Sequence, residues 1–140
     1  MIATGTASPA TSSIRAMSSD RSTPARVAVY SDDSSTRETV IRALGPEYEF
    51  LEIATPSMVI SIMDSGTVDL AILDGEASPA GGLGLAKQLK DELDPCPPLL
   101  VLTGRPDDRW LAKWSNADAS VSHPIDPIAL GAAVAKLLRP

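Results

Sequence analysis

Three aspartates stand where two apolar segments run out: Asp32 and Asp33 follow Arg26-Val-Ala-Val-Tyr30, and Asp74 follows Val68-Asp-Leu-Ala-Ile-Leu73. If those segments are neighbouring strands, the carboxylates crowd into one pocket. Two carboxylates about 5 Å apart repel by roughly 3 kcal/mol at an effective dielectric near 20, so the pocket calls for a proton or a cation. A divalent metal is the expected occupant. Thr103 and His123 close two later apolar segments, Leu99-Leu-Val-Leu102 and the stretch at about 119–122.

The elements that must position these residues follow from hydrophobic periodicity. Short apolar strands at about 26–30, 48–54, 68–73, 99–102 and 119–122 alternate with helical patterns. The first helix, about 36–44, places Val40, Ile41 and Leu44 on one face. The second opens at Thr55-Pro56, an N-cap followed by proline at the first helical position, with Met58, Val59, Ile62 and Met63 as its stripe. The third, about 83–93, turns Leu85, Ala86, Leu89 and Leu93 inward; the fourth covers about 107–115; the fifth opens at Asp126-Pro127 and buries Leu130, Val134, Leu137 and Leu138. The third and fourth strands are apolar almost throughout, as expected when helices cover both faces of a parallel sheet. Five strand–helix units in about 115 residues make a doubly wound α/β sandwich with a five-stranded parallel sheet. Ligands of such sheets bind outside the carboxyl ends of the strands, where strand order reverses. All three aspartates fall at that edge.

Composition narrows the function classes. A chain of 140 residues, 44% hydrophobic and 21% charged, fits one globular domain, expected over residues 25–140. Residues 1–24 are rich in Ser, Thr and Ala, lack apolar periodicity and are expected to be a disordered tail. That tail holds Arg15 and Arg21 but no amphipathic arginine-bearing helix of a transit peptide, and Met17 is an alternative start. The net charge of −6, without a cluster of Lys or Arg, argues against direct nucleic-acid binding. No apolar run reaches the roughly 18 residues that span a bilayer, so the expectation is a cytoplasmic protein with no membrane contact. Cys96, the only cysteine, cannot form an internal disulfide and fits a reducing compartment.

Each motif also has a plainer reading. Ser35-Thr-Arg-Glu38 reads as a capping box for the first helix, which would free Asp32 and Asp33 from capping; the alternative is a pair of aspartates that solvate a turn. Asp74-Gly75 could be a hairpin tip, although Glu76-Ala-Ser-Pro-Ala-Gly-Gly does not read as a returning strand. Thr103-Gly104 alone is a plain turn, and His123-Pro124 alone a loop histidine before a restricting proline. Gly81-Gly-Leu-Gly84 lacks the spacing of a phosphate loop and reads as a flexible entry to the third helix. Trp110 and Trp114, four apart on the fourth helix, serve either core packing or a partner-facing patch.

In order, the acidic pair Asp32-Asp33, Leu70-Ala-Ile-Leu-Asp74, Gly81-Gly82-Leu83, Leu100-Val-Leu-Thr103, and Ala117-Asp118 running into His123-Pro124 resemble the receiver domain of bacterial response regulators, across about residues 25–140. The resemblance implies the flavodoxin-like strand order 2-1-3-4-5. It implies that Asp74 attacks the phosphorus of a phosphohistidine or small phosphodonor and becomes an acyl phosphate. It also implies Mg²⁺ as cofactor, held directly by Asp33 and Asp74, through water by Asp32, and by the backbone carbonyl of Glu76, a set that suits this hard, hydrated cation. Thr103 and His123 would contact the phosphoryl group. The implied partners are a sensor histidine kinase or small phosphodonor and a separate effector protein, with a homodimer left open. No enzymatic activity is expected beyond the chain's own phosphorylation and dephosphorylation.

The chain also departs from that family. His123 replaces the lysine of the family's Lys-Pro, and histidine is shorter and near half-charged only around pH 6.5. Ser120 occupies the aromatic switch position, Pro79 is displaced by one, and the stretch from Thr103 to His123 is about two residues short. Three functions follow. The first is a stand-alone atypical receiver phosphorylated on Asp74. The second is a phosphorylation-independent interaction module whose contact surface runs from the fourth to the fifth helix and includes Ser120, Trp110 and Trp114. The third is a flavin-binding module, disfavoured because two carboxylates in the first loop would repel a flavin phosphate.

Overall fold

Five short segments, the central ones rich in Val, Leu and Ile, pair side by side, all parallel: β1 (Arg26–Tyr30), β2 (Glu49–Ile53), β3 (Leu70–Asp74), β4 (Leu99–Thr103) and β5 (Ala119–Ser122). Their order in the sheet is β2-β1-β3-β4-β5. Between and after them run α1 (Ser34–Leu44), α2 (Pro56–Asp64), α3 (Gly82–Glu92), α4 (Arg109–Trp114) and α5 (Pro127–Leu138). This computed structural model describes residues 23–76, 81–105 and 109–139. The expected tail, apart from Thr23 and Pro24, lies outside the described residues, as do Pro79 and the expected start of the fourth helix at 107.

Side chains alternate across each strand, and here both faces are apolar. Ala28, Tyr30, Ala71, Leu73, Leu99 and Val101 pack with Val59 and Met63 of α2 and with Leu85, Ala86 and Leu89 of α3. Val27, Val29, Leu70, Ile72, Leu100 and Leu102 pack on the other side with Val40 and Leu44 of α1 and with Leu130 and Val134 of α5. Every residue of β3 and β4 is buried, which accounts for their continuous apolar sequence. Among the described residues no helix is long and apolar enough to cross a membrane.

Two expectations need correction. The first helix begins at Ser34, and its cap is Asp33 rather than Ser35: the Asp33 Oδ1 accepts the Ser35 N–H at 2.9 Å, and Oδ2 accepts the Thr36 hydroxyl at 3.3 Å. Aspartate and serine cap equally well, and the chain turns into α1 two residues sooner than the Ser35 box requires. Met58 is also not part of the buried stripe of α2. It is exposed, and Ile60 packs partly against the core in its place.

The end of β3 is fixed by glycine packing. A Cβ on Gly82 would lie 2.7 Å from the Leu73 carbonyl carbon and 2.8 Å from the Asp74 oxygen, so α3 starts directly against the backbone that carries Asp74. A Cβ on Gly75 would lie 2.6 Å from the Leu102 oxygen, the atom that accepts the Gly75 N–H at 2.8 Å. Gly84 is exposed in the same helix with nothing within 4 Å of its Cβ position. Urea unfolding should therefore show Gly82→Ala destabilised by about 1–3 kcal/mol through overpacking. Gly84→Ala should be stabilised by about 0.5–1 kcal/mol through loss of unfolded-state freedom. Equal responses would contradict this packing.

Candidate functional site

The register β1–β3 pairs Tyr30 with Leu73, so the residues that follow, Ser31 and Asp74, emerge opposite one another at the carboxyl edge. This is where strand order reverses, β2 lying on one side of β1 and β3 on the other. A cavity of about 410 Å³ opens there, lined by Asp32, Asp33, Thr36, Asp74, Glu76, Gly104 and His123. Four carboxylates thus face one space.

Asp74 is 4% exposed, and its two oxygens have different surroundings. Oδ2 accepts the hydroxyl of Ser31 at 2.8 Å; Oδ1 accepts the backbone N–H of Glu76 at 2.9 Å. His123 Nε2 lies 3.6 Å from Oδ1, too far for a hydrogen bond, and is buried without a hydrogen-bond partner among the described residues. A buried polar atom in that condition is costly unless something else in the cavity bonds to it. The His123 N–H of the backbone donates to the Thr103 carbonyl at 2.8 Å, which anchors the loop after β5 to the end of β4.

The loop after β1 is tightly held. Ser31 is fully buried, its N–H donates to Ile53 of β2, and its carbonyl accepts from Arg37 Nη1 at 2.6 Å. Arg37 Nε in turn donates to Glu52 at 3.0 Å. Asp32 projects from this loop into the cavity, and its carboxylate accepts no hydrogen bond from the described residues. Asp33 lines the same cavity, but both of its oxygens are engaged at the start of α1. Among the described residues, no three His, Cys, Asp or Glu side chains converge to hold one ion directly.

Of the residues singled out from sequence, the structure brings together Asp32, Asp33, Asp74, Glu76 and His123. Thr103 ends β4 and is buried, but it does not line the cavity; its hydroxyl donates to the Arg105 carbonyl at 3.4 Å. Ser120 lies on β5 in a separate cavity of about 550 Å³ shared with Ser122, Pro124 and α5 residues. Trp110 and Trp114 are 65% and 52% exposed, so core packing is not their role; Lys87 Nζ sits 5.6 Å from the Trp114 ring centre. Three features went unforeseen. Ser31 holds Asp74, the Glu76 side chain joins the cavity, and Gly104 makes room for it, since a Cβ there would lie 2.9 Å from the Glu76 carboxylate. Only strand register, which sequence patterns leave open by a residue, could have marked Ser31.

Strand order and an acidic rim at the switch point define a receiver domain. The fold matches the chemotaxis response regulator CheY4 of Vibrio cholerae, with TM-score 0.72 and 22% identity over 83% of this chain and 100% of that one. It likewise matches a CheY-like receiver domain protein of Methanospirillum hungatei, with TM-score 0.71 and 21% identity over 83% and 94% of the two chains. No protein-family model matches the chain. Response regulatory proteins of two Mycobacterium tuberculosis strains, themselves uncharacterized, are each 61% identical to it over 127 residues, 86% of this chain and 96% of theirs. This chain belongs to the response regulator family.

The acidic cluster reaches Tyr30, buried at the end of β1. Its phenol is raised above its ordinary value near 10, by burial first and then by the charges of Asp32 and Asp74. The fold therefore favours the neutral phenol: the stability this gives is complete below pH about 10 and is lost as pH climbs through the raised folded value. Urea unfolding at about pH 8 and pH 11 should show the wild type losing more stability than Tyr30→Phe across that interval. Equal losses would mean that neither burial nor the acidic cluster raises the Tyr30 phenol.

Proposed function

We propose that this response regulator takes a phosphoryl group on Asp74 in two-component signalling, with Mg²⁺ in the acidic cavity, and passes the signal through contacts with a separate protein. The observation that carries this reading is the asymmetry of Asp74. One oxygen is tied to Ser31 behind it, and the other, held by the Glu76 N–H, faces a cavity in which His123 Nε2 has no hydrogen-bond partner among the described residues.

The donor chemistry fits Mg²⁺, which keeps several waters and takes one or two carboxylates, so a three-carboxylate cage is not required. The roles that the resemblance implies for the acidic pair are exchanged in this proposal: Asp32, whose carboxylate is free of hydrogen bonds from the described residues, and Asp74 are the direct candidates, with the Glu76 backbone carbonyl, while Asp33, committed to capping, contributes its charge. When bound, the ion neutralises the repulsion between an incoming phosphoryl group and the carboxylates. The chain's own part is to hold Asp74 with one oxygen toward the donor and to supply the His123 ring beside it. A sensor histidine kinase or a small phosphodonor is the proposed source, and the exposed Trp110 and Trp114 are the proposed contact with an effector. No enzymatic activity is proposed beyond the chain's own phosphorylation and dephosphorylation.

Two observations favour a second reading, a receiver fold that binds its partner without phosphate: Asp33 is occupied and, among the described residues, no three His, Cys, Asp or Glu side chains converge on one ion. A flavin site is disfavoured more strongly than before, because four carboxylates line the cavity.

With acetyl phosphate and Mg²⁺, intact mass spectrometry should show one added phosphoryl group on the wild type and none on Asp74→Asn, with circular dichroism unchanged. A wild type that gains no mass supports the second reading. His123→Lys should speed phosphorylation or prolong the phosphorylated state by roughly fivefold, the equivalent of about 1 kcal/mol for a partly exposed charge contact. No change in either would remove the missing cation as a defect of this site.

A further inference from the structure

Ser31 is placed to do more than fill space. It is fully buried, does not line the acidic cavity, and has every polar atom engaged. Its N–H donates to Ile53, its carbonyl accepts from Arg37, and its hydroxyl oxygen accepts the Asp33 N–H at 3.1 Å. A hydroxyl has one proton, and with its oxygen already accepting, that proton has a single remaining use: it is donated to Asp74 Oδ2 at 2.8 Å. An ionised carboxylate only accepts, so the direction of this bond is fixed and the bond is charge-assisted. Asp74 Oδ1 is the oxygen beside His123 Nε2 and the Glu76 N–H, and both of those residues line the cavity.

We infer that Ser31 is a positioning residue that selects which oxygen of Asp74 reacts; the inference rests on Asp74 being the phosphoacceptor. A lone pair on Oδ1 attacks the phosphorus of the donor and the bond from phosphorus to the donor's leaving atom breaks, its electron pair departing with acetate when acetyl phosphate is the donor and with the imidazole nitrogen when a phosphohistidine is. Oδ2 becomes the carbonyl oxygen of the acyl phosphate and keeps the Ser31 O–H as its donor. Arg37 of α1, itself held by Glu52 of β2, holds the Ser31 carbonyl, so the Oδ2 side of the acceptor is anchored from α1 and β2 while the Glu76 N–H holds Oδ1 on the cavity side. Loss of the hydroxyl frees the Asp74 carboxylate to rotate, and misplacement of a reacting atom on that scale costs about tenfold to a hundredfold in rate.

The test compares wild type, Ser31→Ala and Ser31→Thr, each checked for folding by circular dichroism and thermal melting. Two quantities are read: the phosphorylation rate with acetyl phosphate and Mg²⁺, and the affinity for beryllofluoride by calorimetry. Alanine should lower both about tenfold or more, and threonine, which keeps the hydroxyl, should restore both to within about threefold. If the added methyl unfolds the chain, Ser31→Cys takes its place; being close in volume and a weaker donor, it should fall between alanine and wild type. A wild type that labels normally beside an alanine variant that is unchanged in both readouts overturns the role of Ser31 and leaves the receiver reading intact. A folded threonine variant as impaired as alanine also overturns it, because packing and not the hydroxyl would then be the cause. A wild type that neither labels nor binds beryllofluoride removes both the receiver reading and this one.

Discussion

Like charges forced together at one sheet edge govern this molecule. Asp32, Asp33, Asp74 and Glu76 line a single cavity, and like charges that share one space repel by an amount that rises as water is excluded. The chain relieves part of this without help. Asp33 is drawn to the start of α1, where backbone N–H groups and the helix dipole favour a negative charge, and Asp74 receives a hydroxyl and an amide. Asp32 and the Glu76 carboxylate face the same space, and their field reaches the phenol of Tyr30 only in part, through Asp32. The remaining repulsion is the physical basis for proposing a cation in this cavity.

The rest of the fold keeps that edge in place. Parallel pairing of β1 with β3 sets Ser31 opposite Asp74, and helices packed on both faces of the sheet cover the fully buried β3 and β4 beside it. Gly75 and Gly82 allow β4 and α3 to approach the Asp74 backbone more closely than any side chain would permit. Arg37, reaching from α1 to the Ser31 carbonyl and to Glu52, ties the loop to β2. Membership of the response regulator family, shown by relatives 61% identical over 127 residues, is consistent with each of these constraints.

Much of this was legible in the sequence because it depends on period and order. The five strands, the Thr55-Pro56 and Asp126-Pro127 helix starts, and the gathering of Asp32, Asp33, Asp74 and His123 at one edge all follow from apolar runs and where they stop. What failed was decided by choices between equals or by distance in the chain. Asp33 and Ser35 are both competent caps, and only the exit of β1 chose between them. Helix α2 carries Met58, Val59, Ile60, Ile62 and Met63, apolar on too many sides for its buried face to be read, and Met58 fell outside. Ser31 is one polar residue among several until register sets it against Asp74, 43 residues away. The placement of the Glu76 carboxylate depends on Gly104, a glycine that reads as an ordinary turn.

The claim on which the account rests is that this cavity binds Mg²⁺, and the most direct measurement is a Mg²⁺ titration followed by amide NMR of the wild-type chain. The account predicts saturable shifts centred on the amides of Ser31, Asp32, Asp33, Asp74, Glu76 and His123, with those of the α2 and α3 faces unmoved. An absence of saturable shifts, or shifts centred on exposed acids elsewhere such as Asp91 and Glu92, would contradict it.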